Sequence, residues 1–170
     1  AQMEGSLSND LRQEAVSIFG KNDKAIAKFS ETLPIPEFPQ CDFNAAKPLN
    51  ASKVAIVTTA ALHQDGAGFA LGDSDHHYET LSSSAKNLKL GHHSVNFDRG
   101  GFAADMNVVF PIDRLQEMAS AGIIGAVAKN HYSFAGNQSA TVSEIRLDSG
   151  LDCAKRMLDE QVDVVLLTGT

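Results

Sequence analysis

Cysteine is nearly missing from this chain. Cys41 and Cys153 are the two it has in 170 residues, and they form no Cys-x-x-Cys. A pair so far apart is no disulfide framework, and a reducing, cytoplasmic setting is the expectation. Basic residues are outnumbered, 14 Lys and Arg against 21 Asp and Glu, for a net charge of -7. A protein that grips nucleic-acid phosphates needs a basic face, so no nucleic-acid partner is expected. No apolar run reaches the roughly 20 residues of a membrane-spanning helix, and no membrane partner is expected either. Residues 1–5 offer neither a basic start nor an apolar core, so no secretory signal is expected. The phosphate-loop pattern, the Gly-x-Ser-x-Gly elbow and His-Glu-x-x-His are absent. There is no internal repeat and no low-complexity tract.

What remains is an ordinary globular composition, 43% apolar. The length supports a domain with a real core. Residues 1–47 read as two helices and an arm. Asn9 or Asp10 caps the first helix, with Leu11, Ala15, Ile18 and Phe19 on one face and Gly20 at its end. The second, residues 23–31, carries Ile26 and Phe29. Residues 33–39 hold Pro34, Pro36 and Pro39 and cannot be regular helix or central strand.

Residues 48–170 read as an α/β domain. It opens on a β-branched strand, 53–59. Residues 64–107 are rich in glycine, and five of the six histidines fall between 63 and 93. So long a loop region is functional or mobile, with short strands near 77–81 and 88–92. A helix is expected to begin at Pro111, to bury Ile112, Leu115, Met118 and Ala119, and to close at Gly122. A short strand at 123–128, a loop at 131–136 and an amphipathic helix at 151–161 follow. The unbroken apolar run 164–167 reads as a strand buried on both faces. The alternation predicts an open, mostly parallel, Rossmann-like sheet with flanking helices, truncated after that strand. A strand left without its covering helix predicts exposed apolar surface, and with it dimerisation or aggregation.

The chemistry-bearing candidates gather where such sheets place their ligands, beyond the carboxyl ends of strands. His63 lies four residues past the first strand, and His131 follows another short strand. If those strands are parallel neighbours, both histidines face the end of the last strand. Imidazole suits acid–base work near neutral pH. His76-His77 and His92-His93 are adjacent pairs, whose members point to opposite faces of a strand. A zinc site would need His63, His92 or His93, His131 and Asp73 or Asp105 to converge, and no ligand spacing supports it, so no metal is assigned. Asp105, Asn107, Asp113 and Arg114 surround Phe110-Pro111. Helix capping with surface pairing accounts for them as well as a functional role does. Cys153 sits mid-helix as a packing residue. Cys41 has no basic neighbours to activate it.

Several stretches resemble one family. They are Ser52-Lys53-Val54-Ala55-Ile56-Val57-Thr58-Thr59 with His63 after it, Gly72-Asp73, residues 93–98, and Asp105-Met106-Asn107-Val108-Val109-Phe110-Pro111-Ile112-Asp113-Arg114-Leu115. Ile124-Gly125, His131-Tyr132-Ser133-Phe134-Ala135-Gly136 and the segment 162–170 complete the set. Together, over roughly residues 48–170, they are similar to the selenoprotein B family. It includes component B of glycine, sarcosine and betaine reductases and the selenocysteine subunit of D-proline reductase. In that family a strand like 163–167 leads through a short turn to selenocysteine or cysteine, with a further cysteine three positions on.

The resemblance implies reductive cleavage of a C–N bond alpha to a carboxylate, with a dithiol as reductant. It implies no cofactor within residues 1–170, a selenocysteine or cysteine beyond Thr170, and little activity for a chain lacking it. The family's pyruvoyl group belongs to a different subunit. The partners implied are a small amino acid or betaine and other reductase subunits or a thiol reductant protein; a homo-oligomer is a further expectation. His63 and His131 are the candidates for proton transfer or substrate orientation. Asp105, Asn107, Arg114 and Ser133 are the candidates for holding the site or a substrate carboxylate. The alternatives are a metal-dependent hydrolase or lyase using His63, His92, His93 and His131, and a non-catalytic subunit.

Overall fold

The structure is a computed structural model that describes residues 28, 31–32, 45–66, 68–69, 75–91, 100–136, 138 and 144–169. The chain divides into two compact units, Ala1–Gln40 with Ser139–Val142 and Cys41–Gln138 with Ser143–Thr170. The two helices and the proline arm expected before residue 47 lie outside the described residues, except for Lys28, Glu31 and Thr32. Cys41, Gly72, Asp73, residues 92–99 and Thr170 lie outside them too.

The second unit is built around β1 (Lys53–Thr58), whose Val54, Ala55, Ile56 and Thr58 are buried. β-Branched and small residues suit such a pleated, covered position. On one side β1 runs parallel to β7 (Val164–Thr168), in register from Val54↔Val164 to Thr58↔Thr168. On the other it runs parallel first to β5 (Ala126–Val127) and then to β6 (Asn130–Phe134). β3 (Tyr78–Ser82) flanks β6 antiparallel. β2 (Leu62–His63) and β4 (Lys89–Leu90) form a separate antiparallel ribbon. The expected α/β sheet is therefore present, mostly parallel with one antiparallel edge.

Alternation along the strands sorts their side chains into two layers. Val54, Ile56, Leu81 and Val164 face a core shared with Leu62, Val109, Phe110, Leu115 and Ile124. The short α1 (Gly100–Ala104) adds Phe102 to it, and α2 (Ile112–Ser120) adds Ile112, Met118 and Ala119. On the opposite face, Val57, Tyr78, Tyr132 and Phe134 meet Cys153 and Met157 of α3 (Gly150–Asp159), together with Ile145. Each fully buried aliphatic or aromatic side chain contributes about 1.5–3 kcal/mol. Polar contacts fix the docking of α3. Tyr78 donates its hydroxyl to Asp152, the Arg156 guanidinium bonds the same carboxylate at 3.1 Å, and Asn130 reaches Glu160 at 2.5 Å.

Four details differ from the sequence reading. Pro111 caps α2 from outside rather than starting it. The strand expected at 123–128 shrinks to two residues, with Ile123 exposed. Gly122 does close α2 as expected: at φ +69° it lets Ile123 N–H bond Met118 O at 2.9 Å and its own N–H bond Ala119 O at 3.0 Å, the paired closure of a Schellman motif. Residues 131–136, read as a loop, are mainly strand: β6 takes 130–134 with its side chains buried from His131 onward. The polar sequence hid it, because His131 Nδ1 and Ser133 Oγ each accept a backbone N–H from a neighbouring segment. Finally, β7 is not buried on both faces. Among the described residues it pairs with β1 alone, and Leu166 and Leu167 are 38% and 73% exposed. The apolar surface expected from the sequence is exposed.

Candidate active site

The parallel strands deliver their carboxyl ends to one lip. Glu79 on β3, Ser133 on β6, Thr58 on β1 and Thr168 on β7 stand in register, one row across four strands. In-register neighbours share a face, so three hydroxyls and a carboxylate line it. Each hydroxyl holds a crossing segment. Thr58 Oγ1 accepts Ala60 N–H at 3.2 Å, and Ser133 Oγ accepts Leu62 N–H at 2.6 Å. Thr168 Oγ1 donates to Val109 O at 2.8 Å. The end of β7 is thereby tied to the segment that carries Asn107 and Phe110.

The chain leaves β1 through Ala61, at φ +52°. This left-handed conformation costs a residue with a Cβ roughly 1–2 kcal/mol. Two bonds hold it: Ala61 N–H donates to Phe134 O at 2.9 Å, and Ala61 O accepts Gly91 N–H at 2.8 Å. A Cβ on Gly91 would stand 2.9 Å from that carbonyl, so the close approach requires glycine. His63 follows in β2, half-buried, with Nδ1 3.0 Å from Gln64 O. Ser133 thus fixes the peptide of Leu62, and with it the position of His63.

His131 sits elsewhere. It lies within the sheet, fully buried, with Nδ1 accepting Ile56 N–H at 2.9 Å and Phe110 edge-on to its ring. Nε2 is buried, with no hydrogen-bond partner among the described residues. Burial pushes the imidazole down to about 4, against a smaller pull upward from Glu160. Asp105, Asn107 and Asp113 do come together, but as a cap. Asp105 Oδ1 accepts the Asn107 backbone and amide N–H groups, both at 2.9 Å. Those bonds hold the Asp105 carboxyl below its usual range. Asn107 Oδ1 accepts Asp113 N–H at 3.1 Å in the first turn of α2. Arg114 pairs with Glu117 at 2.8 Å on the surface of α2.

The sequence reading missed His77. Its Nδ1 contacts Asp75 Oδ1, its Nε2 lies 3.4 Å from Glu79 Oε1, and Phe69 stacks on its ring at 4.6 Å. Because β3 is antiparallel, its start stands at the carboxyl end of β6, so this trio edges the same lip. The spacing Asp75-x-His77-x-Glu79 was the available signal, since alternate residues of an extended segment share a face. His76, by contrast, is exposed.

Among the described residues, no three His, Cys, Asp or Glu side chains converge as metal ligands. Cys153 is buried, with no disulfide partner among the described residues, and burial pushes its thiol up to about 12, which disfavours the thiolate a nucleophile needs. A shallow cavity of about 460 Å³, lined by Lys47, Asn50, Ser52, Lys53, Gly125 and Asp163, opens at the other edge, by the amino ends of β1 and β5. Its charges are spoken for: Lys47 pairs with Asp163 at 2.7 Å and Lys53 Nζ bonds Glu160 O at 2.6 Å. No described helix is long and apolar enough to cross a membrane.

A mostly parallel α/β sheet with polar side chains and a half-buried histidine at its carboxyl lip defines an α/β protein, a class in which ligands generally sit at that edge. Residues 13–170 match the family described as glycine/sarcosine/betaine reductase selenoprotein B, and the chain belongs to it. The match begins upstream of the segments that first suggested it. The chain is 30% identical over 124 residues to D-proline reductase subunit gamma of Acetoanaerobium sticklandii, covering 72% of the chain and 50% of that protein. It is 25% identical over 168 residues to glycine reductase complex component B subunit gamma of Peptoclostridium acidaminophilum, covering 93% and 37%. Sarcosine reductase complex component B subunit beta of the same organism is 26% identical over 156 residues, covering 84% and 34%. The chain thus spans half or less of the length of these relatives. No solved structure matches it significantly.

Proposed function

We propose that this chain is part of a cytoplasmic reductase subunit that cleaves a C–N bond alpha to a carboxylate, with glycine, sarcosine, betaine or D-proline as the substrate type. The observation that carries this reading is the family match over residues 13–170. The reaction needs a nucleophile that the described residues do not supply, Cys153 being buried. A selenocysteine or cysteine following β7 fills that role in our reading. Its selenolate or thiolate attacks the carbon and displaces the amine. A neighbouring thiol then resolves the adduct, and an external dithiol restores the reduced pair.

The lip supports this assignment, because β7 ends in register with Thr58 and Ser133. His63, set by Ser133, is proposed to orient substrate or carry the proton of the departing amine. His131 inside the sheet and Asp105, Asn107 and Arg114 around α2 are held by hydrogen bonds or ion pairs, and in this reading they support the site from there. Other reductase subunits are the proposed partners, as the relatives' names describe complexes. The experiment is to express the whole reading frame with selenocysteine or cysteine in place and supply a dithiol and partner subunits. Amine release from glycine, sarcosine or betaine, or ring opening of D-proline, is expected, with loss of turnover after alkylation of the reduced protein. Turnover unaffected by alkylation contradicts the mechanism.

A further inference from the structure

Helix α3 is apolar on two sides. Its inner face sets Cys153 and Met157 against Tyr132 and Phe134. Its outer face carries Leu151, Ala154 and Leu158, three and four residues apart, which helical geometry places on one stripe. Leu147 stands one turn earlier, in the π-helical turn Ile145–Ser149. Leu147, Leu151 and Leu158 are 73%, 51% and 71% exposed. The outer face of a solvated helix carries polar residues, so a helix apolar on both faces is one that is covered on both. The spacing is that of the a and d positions of a helix–helix seam.

The pattern also selects the occupant. Reversing the helix end for end sets Leu147 opposite Leu158 and Leu151 opposite Ala154. The small Ala154 leaves room for the facing leucine. On one flank of the stripe lie Asp148, Lys155 and Asp159, all exposed. The same reversal brings Asp148 of each helix beside Lys155 of the other, giving two opposite-charge pairs, while Asp159 points further from the seam. A patch complementary to its own reverse meets the requirement of a twofold interface, in which one surface serves both sides.

We infer that the outer face of α3 packs antiparallel against α3 of a second copy of this chain, about a twofold axis between Leu151 and Ala154. The leucines supply the affinity. The rim charges set the orientation, since exposed ion pairs contribute little energy. One short helix pair buries less than the roughly 1,600 Å² of a standard stable complex, so the dimer is weak and dissociates on dilution. None of this depends on the reductase reading.

The test is sedimentation equilibrium of the chain from about 5 to 300 µM, a range that spans micromolar affinity. A monomer–dimer equilibrium is expected. Leu151→Glu with Leu158→Glu is expected to raise the dissociation constant at least about tenfold, with an unchanged circular dichroism spectrum because both sites are exposed. Lys155→Asp weakens the dimer by apposing aspartates, and adding Asp148→Lys restores it. Leu167→Lys, on the exposed edge strand β7, leaves the dimer intact. A monomer at every concentration overturns the inference. So does association that Leu167→Lys abolishes and the α3 double substitution leaves untouched.

Discussion

The imidazole of His131 accepts the backbone N–H of Ile56, 2.9 Å away, in the middle of the sheet. Val54 pairs with Val127 while Val57 pairs with Tyr132. The partner strand therefore carries two more residues than β1 over the same stretch, and the ladder breaks between β5 and β6. Ala128 N–H still reaches Val54 O, at 2.8 Å. The next β1 donor on that side, Ile56, has no carbonyl opposite, and the His131 ring takes its place. A buried N–H left without an acceptor costs about 1–3 kcal/mol, which explains a histidine buried here.

His131→Leu should therefore lower the unfolding free energy by about 1–3 kcal/mol, because it leaves Ile56 N–H unsatisfied. His131→Asn should lose less, since its amide oxygen reaches nearly as far as Nδ1. Urea denaturation of the two variants checks the order. Equal losses would mean that the hydrogen bond is not what His131 contributes.

The same residue should set an acid limit. Burial pushes its imidazole down to about 4 from 6.5. Between those values the unfolded chain takes up a proton that the folded chain refuses. The stability contribution is full above pH 6.5 and is lost as pH falls toward 4, by roughly 3 kcal/mol at most. His131→Asn removes the titrating group, so its stability should fall less between pH 7 and pH 4.5. Denaturation curves at both pH values decide it. Parallel declines in the two proteins would assign the acid limit to other groups.

Under the proposed reductase function, with the whole reading frame expressed and selenocysteine or cysteine in place, His63→Ala should cost a factor of about 100 to 10,000 in turnover. Ser133→Ala should cost both stability and turnover, because it frees the Leu62 N–H that places His63. His76→Ala should leave turnover near normal, as its side chain is exposed. Steady-state rates on D-proline, glycine derivatives and betaine test the set. Normal turnover for His63→Ala, with loss for His77→Ala, would move the acid–base role to the Asp75–His77–Glu79 trio.

Asn107→Ala should destabilise the fold by about 1 kcal/mol, the worth of a helix cap. Its amide oxygen receives Asp113 N–H, and its amide N–H groups join Asp105 to Asp113. The Michaelis constant should stay unchanged when Asn107 only caps. A large rise in that constant with normal stability would instead put Asn107 on the substrate carboxylate.

The sequence by itself determined the sheet's centre and its main covers. Strand 53–58, the helix after Pro111 with its glycine stop, the helix before residue 160 and the last strand were all legible. In the first three, local periodicity and burial agree, whereas the last was marked by its unbroken apolar run alone. It also determined the family, since blocks such as Asn107-Val108-Val109-Phe110-Pro111 and His131-Tyr132-Ser133-Phe134 are specific in themselves. Only the tertiary structure decided that His131 is a sheet residue, because its partner is Ile56, far away in sequence. Tertiary pairing likewise turned the start of β3 toward the lip, where His77 meets Asp75, Glu79 and Phe69. Asp105 and Asn107 became a cap through bonds that span two to six residues, a choice that residue types alone left open. The exposure of β7 and of the outer stripe of α3 is tertiary as well. An apolar pattern states that a surface favours cover, and only the packed neighbours show whether it has any.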